Sequence, residues 1–339
     1  MRLSELGEFG LIARLAARFG QGLPPGMVGI GDDCAVIPWD EGTSLLVTTD
    51  LLIEGTHFRL GDLSPRDLGH KALAVNLSDI AAMGGVPESA FLGLGLPEST
   101  PVEWVEELID GLGELAAATG TRVLGGDTTR STAGVVLDLT VLGRAPTAHL
   151  KLRAGGRPGD VVAVTTSLGD SAAGLRLLLD QASARPPDEA LAATDELALI
   201  RRHVRPHPQL AEGRWLASRP EVHALLDLSD GLDSDLRQIL QASSLGATIE
   251  LDRLPCSAEL SRCAARRGWD ALPLAATGGE DYGLLLTLAA AAATETARAF
   301  AADLGHPLHL IGQLQEAPGL VYRRSGRPVE LTDRGFAHF

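Results

Sequence analysis

Three stretches of this chain read as strands that run straight into a carboxylate. Leu45 to Thr49 leads into Asp50, Arg122 to Leu124 leads through two glycines into Asp127, and Val222 to Leu226 leads into Asp227. A fold that buries such strands must answer the charge they carry, because an ionised carboxylate out of water is costly without a cation or several donors. The first of these acids stands in the most one-sided part of the sequence. Between Gly26 and His57 there is no Lys or Arg, against six acids: Asp32, Asp33, Asp40, Glu41, Asp50 and Glu54. Asp40 and Glu41 sit beside Gly42 in a turn that solvent can serve. Asp32 and Asp33 instead follow a Gly-Ile-Gly turn ahead of the strand. Either a divalent metal or an Arg or Lys from a distant part of the chain answers this group.

Another acid of this kind lies on a helix. Ser64-Pro65-Arg66-Asp67 opens it, with Ser as N-cap, Pro at the first helical position and Asp in the first turn. Leu68, Ala72, Val75, Asp79 and Ala82 recur at helical spacing, so Asp79 faces the same way as four apolar residues. It is the only charge from Ala72 to Val86, and its partner is a metal or a distant Arg. Asp33, Asp50, Asp79, Asp127, Asp227 and Asp230 thus form one set, at strand ends or on a buried helix face. No Cys or His accompanies them in metal-ligand spacing, which points to hard oxygen ligation of Mg2+ rather than Zn2+. Several Mg2+ ions in a glycine-lined cleft fit a nucleoside triphosphate and phosphoryl transfer.

Composition narrows the class. A chain of 339 residues holds two domains with real cores. Its net charge of −15, from 29 basic and 44 acidic residues, excludes nucleic acid as the main partner, since backbone binding needs a basic face. Nucleotides remain open where metal ions offset the repulsion. Lys71 and Lys151 are the only lysines, so phosphate contacts fall mainly to Arg and Mg2+. Cys34, Cys256 and Cys263 form no CxxC pair and no even disulfide set, and read as small apolar residues in a reducing compartment. The first residues carry no apolar signal core, and no apolar run approaches a membrane span. The expected location is cytoplasmic, with no membrane partner.

Along the chain, residues 5–19 have the period of an amphipathic helix, with Phe9, Ile12, Leu15 and Phe19 on one stripe. Ala90 to Leu96 reads as a strand, and Trp104, Leu108, Leu112 and Leu115 form the buried stripe of the next helix. Val135 to Gly143 alternates as a strand, and the Pro- and Gly-rich stretch from Ala145 to Pro158 crosses between domains. Asp160 to Thr165 is a strand leading through a turn into a helix from Asp170. Gly169 and Gly174 have Walker A spacing, but Leu175-Arg176 replaces the required Lys-Ser/Thr, and no GxGxxG follows a strand. Residues 183–190 read as a surface loop, and a helix follows Pro208. Further on come a helix holding Leu236, Ile239 and Leu240, a strand Leu284 to Leu288 and an alanine-rich helix to Leu304. A strand near Leu308 to Gln313 and a hairpin turned at Ser325-Gly326 finish the pattern. Strands alternate with helices in both halves, so the expected class is α/β, in two layered domains.

The motifs GIGDDCA, the TTD strand, EGTHF, KALAVNLSDIAAMG, GGDTTR, GDSAAGL, DLSDGL and GGEDY occur here in one order, between GEF near the N-terminus and a closing GFAHF. In these residues the chain resembles the thiamine-monophosphate kinase family, within the aminoimidazole-ribotide synthetase superfamily. The resemblance implies a two-domain fold. Residues 1–147 form the N-terminal domain, which binds ATP and Mg2+ and pairs with its mate in a homodimer whose sheets make a β-barrel. Residues 148–339 form the C-terminal domain, which closes the cleft. It further implies that ATP and thiamine phosphate are the substrates, and that the transfer is direct and Mg2+-assisted.

Carried over by resemblance, Asp33, Thr48, Thr49, Asp50, Asp79, Asp127, Asp227 and Asp230 match Mg2+ positions. Gly126, Asp127, Arg153 and Ser229 match nucleotide contacts, and His57, Glu280 and Phe336 match positions that hold the thiamine moiety. Phe336 keeps a stacking face where the family often has a hydroxylated aromatic. Plainer roles stand beside these. His57 also reads as a surface histidine, and His70, His203, His207, His223, His306, His309 and His338 as surface or satisfied polar positions. Asp32 and Asp281 read as acids that orient loops through backbone N–H groups. Lys71 reads either as a phosphate contact or as a helix salt bridge with Asp67, and Trp104 as core. Two other functions compete: another ATP-dependent enzyme of the same superfamily, or a non-catalytic dimeric scaffold whose acids staple loops around metal.

Overall fold

The computed structural model describes residues 2–180 and 190–331, and these build two sheets, one in each half of the chain. In chain order the helices are α1 (Leu3–Leu6), α2 (Glu8–Phe19), α3 (Pro65–Ala82), α4 (Val102–Thr119), α5 (Asp170–Asp180), α6 (Ala190–Val204), α7 (Leu210–Ala217), α8 (Leu232–Ser243), α9 (Ala258–Arg267), α10 (Ala271–Thr277) and α11 (Ala293–Leu304). The strands are β1 (Ala35–Asp40), β2 (Thr43–Ile53), β3 (Val86–Leu96), β4 (Arg122–Arg130), β5 (Val136–Pro146), β6 (Val161–Val164), β7 (Val222–Asp227), β8 (Gly246–Glu250), β9 (Leu284–Leu288), β10 (His309–Gln315), β11 (Gly319–Arg324) and β12 (Arg327–Val329).

The first sheet runs β1-β2-β5-β3-β4, antiparallel except for the β3–β4 pair. Strand β5 shows why it has one dry face: Leu137, Leu139 and Val141 are buried while the residues between them stay partly open. Helices α3 and α4 supply the other side of that core, through Leu68, Leu73, Leu77, Leu108 and Leu112. They touch backbone to backbone because each has a glycine at the crossing. A Cβ on Gly69 would stand 1.9 Å from the Leu108 carbonyl oxygen, and one on Gly111 1.8 Å from that of Arg66. The sheet is open, and among the described residues the chain contains no closed barrel.

The second sheet runs β12-β11-β8-β10-β6-β9-β7, antiparallel except for β8–β11. Helices cover both faces. Val162 and Val164 pack with Leu236 and Ile239 of α8, while Ala163 packs with Leu216 of α7 and Phe300 of α11. Ala81 and Ala82, at the end of α3, join this last core. Helix α3 is therefore buried nearly all round, Lys71, Asn76 and Ser78 included, because it serves both halves. The architecture is two α/β layered units joined along one helix.

Several local expectations need correction. Strand β2 continues past Asp50 to Ile53, and β4 runs on to Arg130, so Asp50 and Asp127 lie within strands rather than at their ends. The ladders explain this: Leu51 to Ile53 go on pairing with β5, and Thr128 to Arg130 with β3. Asp227 does close β7, as expected. Strand β3 begins at Val86. The helix expected over 5–19 is broken at Gly7 (φ +71°), and its apolar stripe is not core: Phe9, Leu15 and Phe19 stay 42%, 40% and 62% exposed. Residues 183–189 of the expected surface loop, together with Phe336 and His338, lie outside the described residues, and Ala190 opens α6. The three cysteines are free thiols, and no described helix is long and apolar enough to cross a membrane.

Candidate active site

The two halves meet at a group of carboxylates around α3. The first comes from the Gly31 turn ahead of β1, where Asp32 and Asp33 have separate jobs. Asp32 accepts the backbone N–H groups of Asp33 (3.2 Å) and Arg153 (3.2 Å), the loop-orienting role expected for it. Asp33 takes the Arg153 guanidinium on Oδ1, at 2.5 Å from Nη2. A distant Arg thus does answer the acidic stretch, but for one oxygen only. The other, Oδ2 of Asp33, is buried with no hydrogen-bond partner.

Asp79 projects from α3, where its Oδ2 accepts the hydroxyl of Thr48 on β2. Asp227, at the end of β7, accepts from Ser78 Oγ at 2.7 Å. Adjacent residues of one helix thus reach the sheet of each half. Oxygens of Asp33, Asp79 and Asp227 all lie within 4.8 Å of one another. Asp50 joins this side of β2, in hydrogen-bond contact with Asp79.

Three like charges this close in a dry site cannot all ionise unaided. Burial raises the carboxyl pKa of Asp33, and burial with neighbouring carboxylates raises that of Asp79 well above the ordinary range. Asp50 is pushed up to about 6 and Asp227 to about 8, in both cases mainly by burial. The remedy that keeps them ionised is a divalent cation, and the donors suit one: carboxylate oxygens from three elements, with one oxygen buried and unpartnered.

A pH dependence follows. The folded pKa values of Asp50 and Asp227 lie above the ordinary 3.8, so their contribution to stability is fully present below that value. It is lost as pH rises through about 6 and about 8. The metal-free protein should therefore melt at a lower temperature near pH 8 than near pH 6. A divalent cation held by this group would favour the ionised form, so any stabilisation by added Mg2+ should grow over the same window. Melting curves with Mg2+ and with chelator decide it. A metal-free melting temperature that rises with pH across this range would contradict the assignment.

Other expected site residues take different places. Thr49 faces the opposite side of β2, where its hydroxyl donates to Asp138 Oδ1 at 2.9 Å. Gly126 and Asp127 lie on the exposed edge strand β4, outside the close triad. Gly126 is required by the sheet itself, since a Cβ there would stand 1.7 Å from the Leu92 carbonyl oxygen. Ser229 and Asp230 are half-buried in the loop after β7. His57 accepts the N–H of Ile53 on Nδ1 at 2.9 Å. Glu280 is met by Lys71 (2.9 Å) and His203 (3.1 Å). Lys71 is thus in neither role expected of it, because α3 turns it inward to the second half. Asp281 caps α5 through the N–H groups of Gly169 (2.6 Å) and Ser171 (3.1 Å).

Sequence reasoning missed Asp235, whose buried carboxylate accepts the N–H groups of Asp230 (3.2 Å) and Gly231 (3.0 Å) and so shapes the loop after β7. The signal was present in Asp233-Ser234-Asp235, two acids in the first turn of a helix, where side chains turn back on the N-terminal backbone.

Residues 31–145 match the family model of the AIR synthase related protein N-terminal domain, and residues 157–324 that of its C-terminal domain. The thiamine-monophosphate kinase of Escherichia coli (strain K12) is 41% identical over 338 residues, covering 98% of both chains. That of Bacillus subtilis (strain 168) is 35% identical over 314 residues, or 92% of this chain and 93% of its own. Among solved structures, AaThiL complexed with AMPPCP and TMP superposes with a TM-score of 0.85 at 34% identity, covering 100% of this chain and 99% of the other. With relatives of that name matching from end to end at this identity, the chain belongs to the thiamine-monophosphate kinase family.

Proposed function

We propose that this chain transfers the γ-phosphoryl group of ATP to thiamine phosphate, giving thiamine diphosphate. The observation that carries this is the meeting of Asp33, Asp79 and Asp227 across the two halves, in a chain similar throughout to kinases of that name. A relative's complex with AMPPCP and TMP supports the choice of substrates. Asp33, Thr48, Asp50, Asp79, Asp127, Asp227 and Asp230 would hold the Mg2+ ions, and Thr49, whose side chain is turned to Asp138, would reach them only through its backbone carbonyl. When bound, Mg2+ screens the phosphate charges and favours an in-line approach. Gly126, Asp127, Arg153 and Ser229 would meet the nucleotide. Arg153 suits this, because its guanidinium is fixed on Asp33 while its buried Nε still has no partner. His57, Glu280 and Phe336 would hold the thiamine moiety.

Transfer is direct in this proposal. The thiol nearest the acids, Cys34, is buried, and burial followed by the charge of Asp79 pushes its pKa well up, so it supplies no nucleophile. ATP carrying a chiral γ-thiophosphate should give product with inverted phosphorus, and retention would require a phospho-enzyme.

Residues 1–147 would form a domain whose sheet pairs with a second copy to close a barrel. Phe91, Leu51, Val123 and Leu124 stand 39–62% exposed on that sheet, apolar surface of the kind such pairing would cover. Residues 148–339 would close the cleft, and the enzyme would work in the cytoplasm. ADP release from ATP, measured with thiamine phosphate in the presence and absence of Mg2+, tests the reading. Release that ignores thiamine phosphate would sink it.

A further inference from the structure

We infer that Lys71 and His203 are positioning residues that hold the Glu280 carboxylate in one place, and through it set where the thiamine moiety sits. The inference rests on the proposed role of Glu280 at that moiety.

The network joins three elements. Lys71, on α3, has a side chain only 2% exposed, and its Nζ lies 2.9 Å from Oε1 and 3.0 Å from Oε2 of Glu280. His203, near the end of α6, places Nδ1 3.1 Å from Glu280 Oε2 and 3.0 Å from Ser171 Oγ on α5. The Glu280 side chain keeps 27% of its surface open. Its two supports are almost completely enclosed, so the carboxylate is held from behind and presents its remaining face outward.

The backbone is held as firmly as the side chain. Glu280 and Tyr282 both adopt left-handed conformations, with φ of +63° and +47°. Non-glycine residues keep such angles only where the surroundings dictate them. Here the Glu280 N–H donates to the Ser229 carbonyl at 2.7 Å, and the Tyr282 N–H to that of Leu228 at 2.9 Å. The turn bearing Glu280 is therefore stitched to the loop bearing Ser229 and Asp230, while its carboxylate is tied to α3. Among the contacts helix α3 makes with the second half, two end on carboxylates, from Lys71 to Glu280 and from Ser78 to Asp227. One helix thus sets both the carboxylate proposed to meet thiamine and a carboxylate of the acidic group. An ion pair kept only for stability would gain little over an apolar replacement, since burying an ammonium offsets most of the attraction.

The test is a set of variants assayed for both substrates, with Glu280→Gln as reference. Lys71→Met should raise KM for thiamine phosphate about tenfold or more, a coupling of ordinary size, while KM for ATP stays within about threefold. His203→Leu should do the same, and His203→Asn, which keeps a donor near Nδ1, should restore most of the loss. Because Lys71 acts through Glu280, the double variant Lys71→Met/Glu280→Gln should match Glu280→Gln alone in KM. A salt bridge that only braces the fold would lower the melting temperature and leave the KM ratio unmoved. Unchanged KM for thiamine phosphate in whichever of Lys71→Met and His203→Leu folds, or effects that multiply in the double variant, overturns the inference. A wild-type protein without thiamine-phosphate turnover overturns the functional reading, and this inference with it. Normal wild-type turnover with unaltered variants overturns this inference alone.

Discussion

Asp79→Asn is expected to lower kcat by about a thousandfold or more, while the metal-free protein melts at the same temperature as the wild type or higher. The loss is set by charge, not shape. Asn fills the same space and can still accept the Thr48 hydroxyl, so the β2–α3 contact survives. What disappears is one of the three carboxylates whose oxygens approach within 4.8 Å, and with it an anionic ligand for the proposed cation. Removing one element of a preorganised electrostatic site typically costs about 10^2 to 10^3 in rate, and a ligand shared by clustered ions belongs at the upper end. The stability half of the prediction runs the other way. In the metal-free protein Asp79 is crowded by burial, Asp50, Asp227 and Asp33, all of which oppose its ionisation. A neutral side chain relieves that repulsion, the exchange of stability for activity common at functional sites. Turnover near the wild-type value would remove Asp79 from the metal site. A metal-free melting temperature several degrees below wild type would show that the carboxylate braces the fold instead.

The same residues show how far the sequence could be read. Asp79 was legible because a lone acid among apolar residues at helical spacing has few reasons to be there, and Asp227 because it closes an apolar strand. Their partners were not legible. Arg153 lies 120 positions from Asp33, and Glu280 lies 209 from Lys71, and no local pattern announces either pair. Helix α6 and its neighbour α9 escaped for a related reason: their contact is built partly on ion pairs. Asp195 is buried against Arg262 (2.7 Å) and Arg266 (2.9 Å), so apolar periodicity understates the interface. Thr49 shows the limit of carrying a motif over letter by letter. The period-two alternation of β2 puts its side chain on the face away from Thr48 and Asp50.

Thiamine phosphate should be used, and thiamine should be at least about a thousandfold poorer in kcat/KM, because the carboxylates of the site offer an alcohol no base. A hydroxyl must shed its proton as it attacks phosphorus, and general-base help is worth about 10^2 to 10^4 in rate. The carboxylates that could give it divide into two groups, each unsuited for its own reason. Asp33, Asp50, Asp79, Asp127, Asp227 and Asp230 are proposed to ligate metal, and a carboxylate that shares its lone pairs with a divalent cation is a weak base. Glu280 is the remaining acid proposed to face substrate. Burial would raise its pKa, but Lys71 and His203 outweigh that and hold it at about 2. At neutral pH it therefore takes up no proton, whatever its position. A phosphate monoester needs no such help: it arrives already anionic, and the remaining requirement is to bring two anions together in line. The distinction is chemical as well as steric, so it should persist at saturating thiamine, as a low kcat rather than a high KM alone. Measured kcat/KM values for the two acceptors within tenfold of each other would mean that a base is present, and would turn attention back to the carboxylates assigned here to metal.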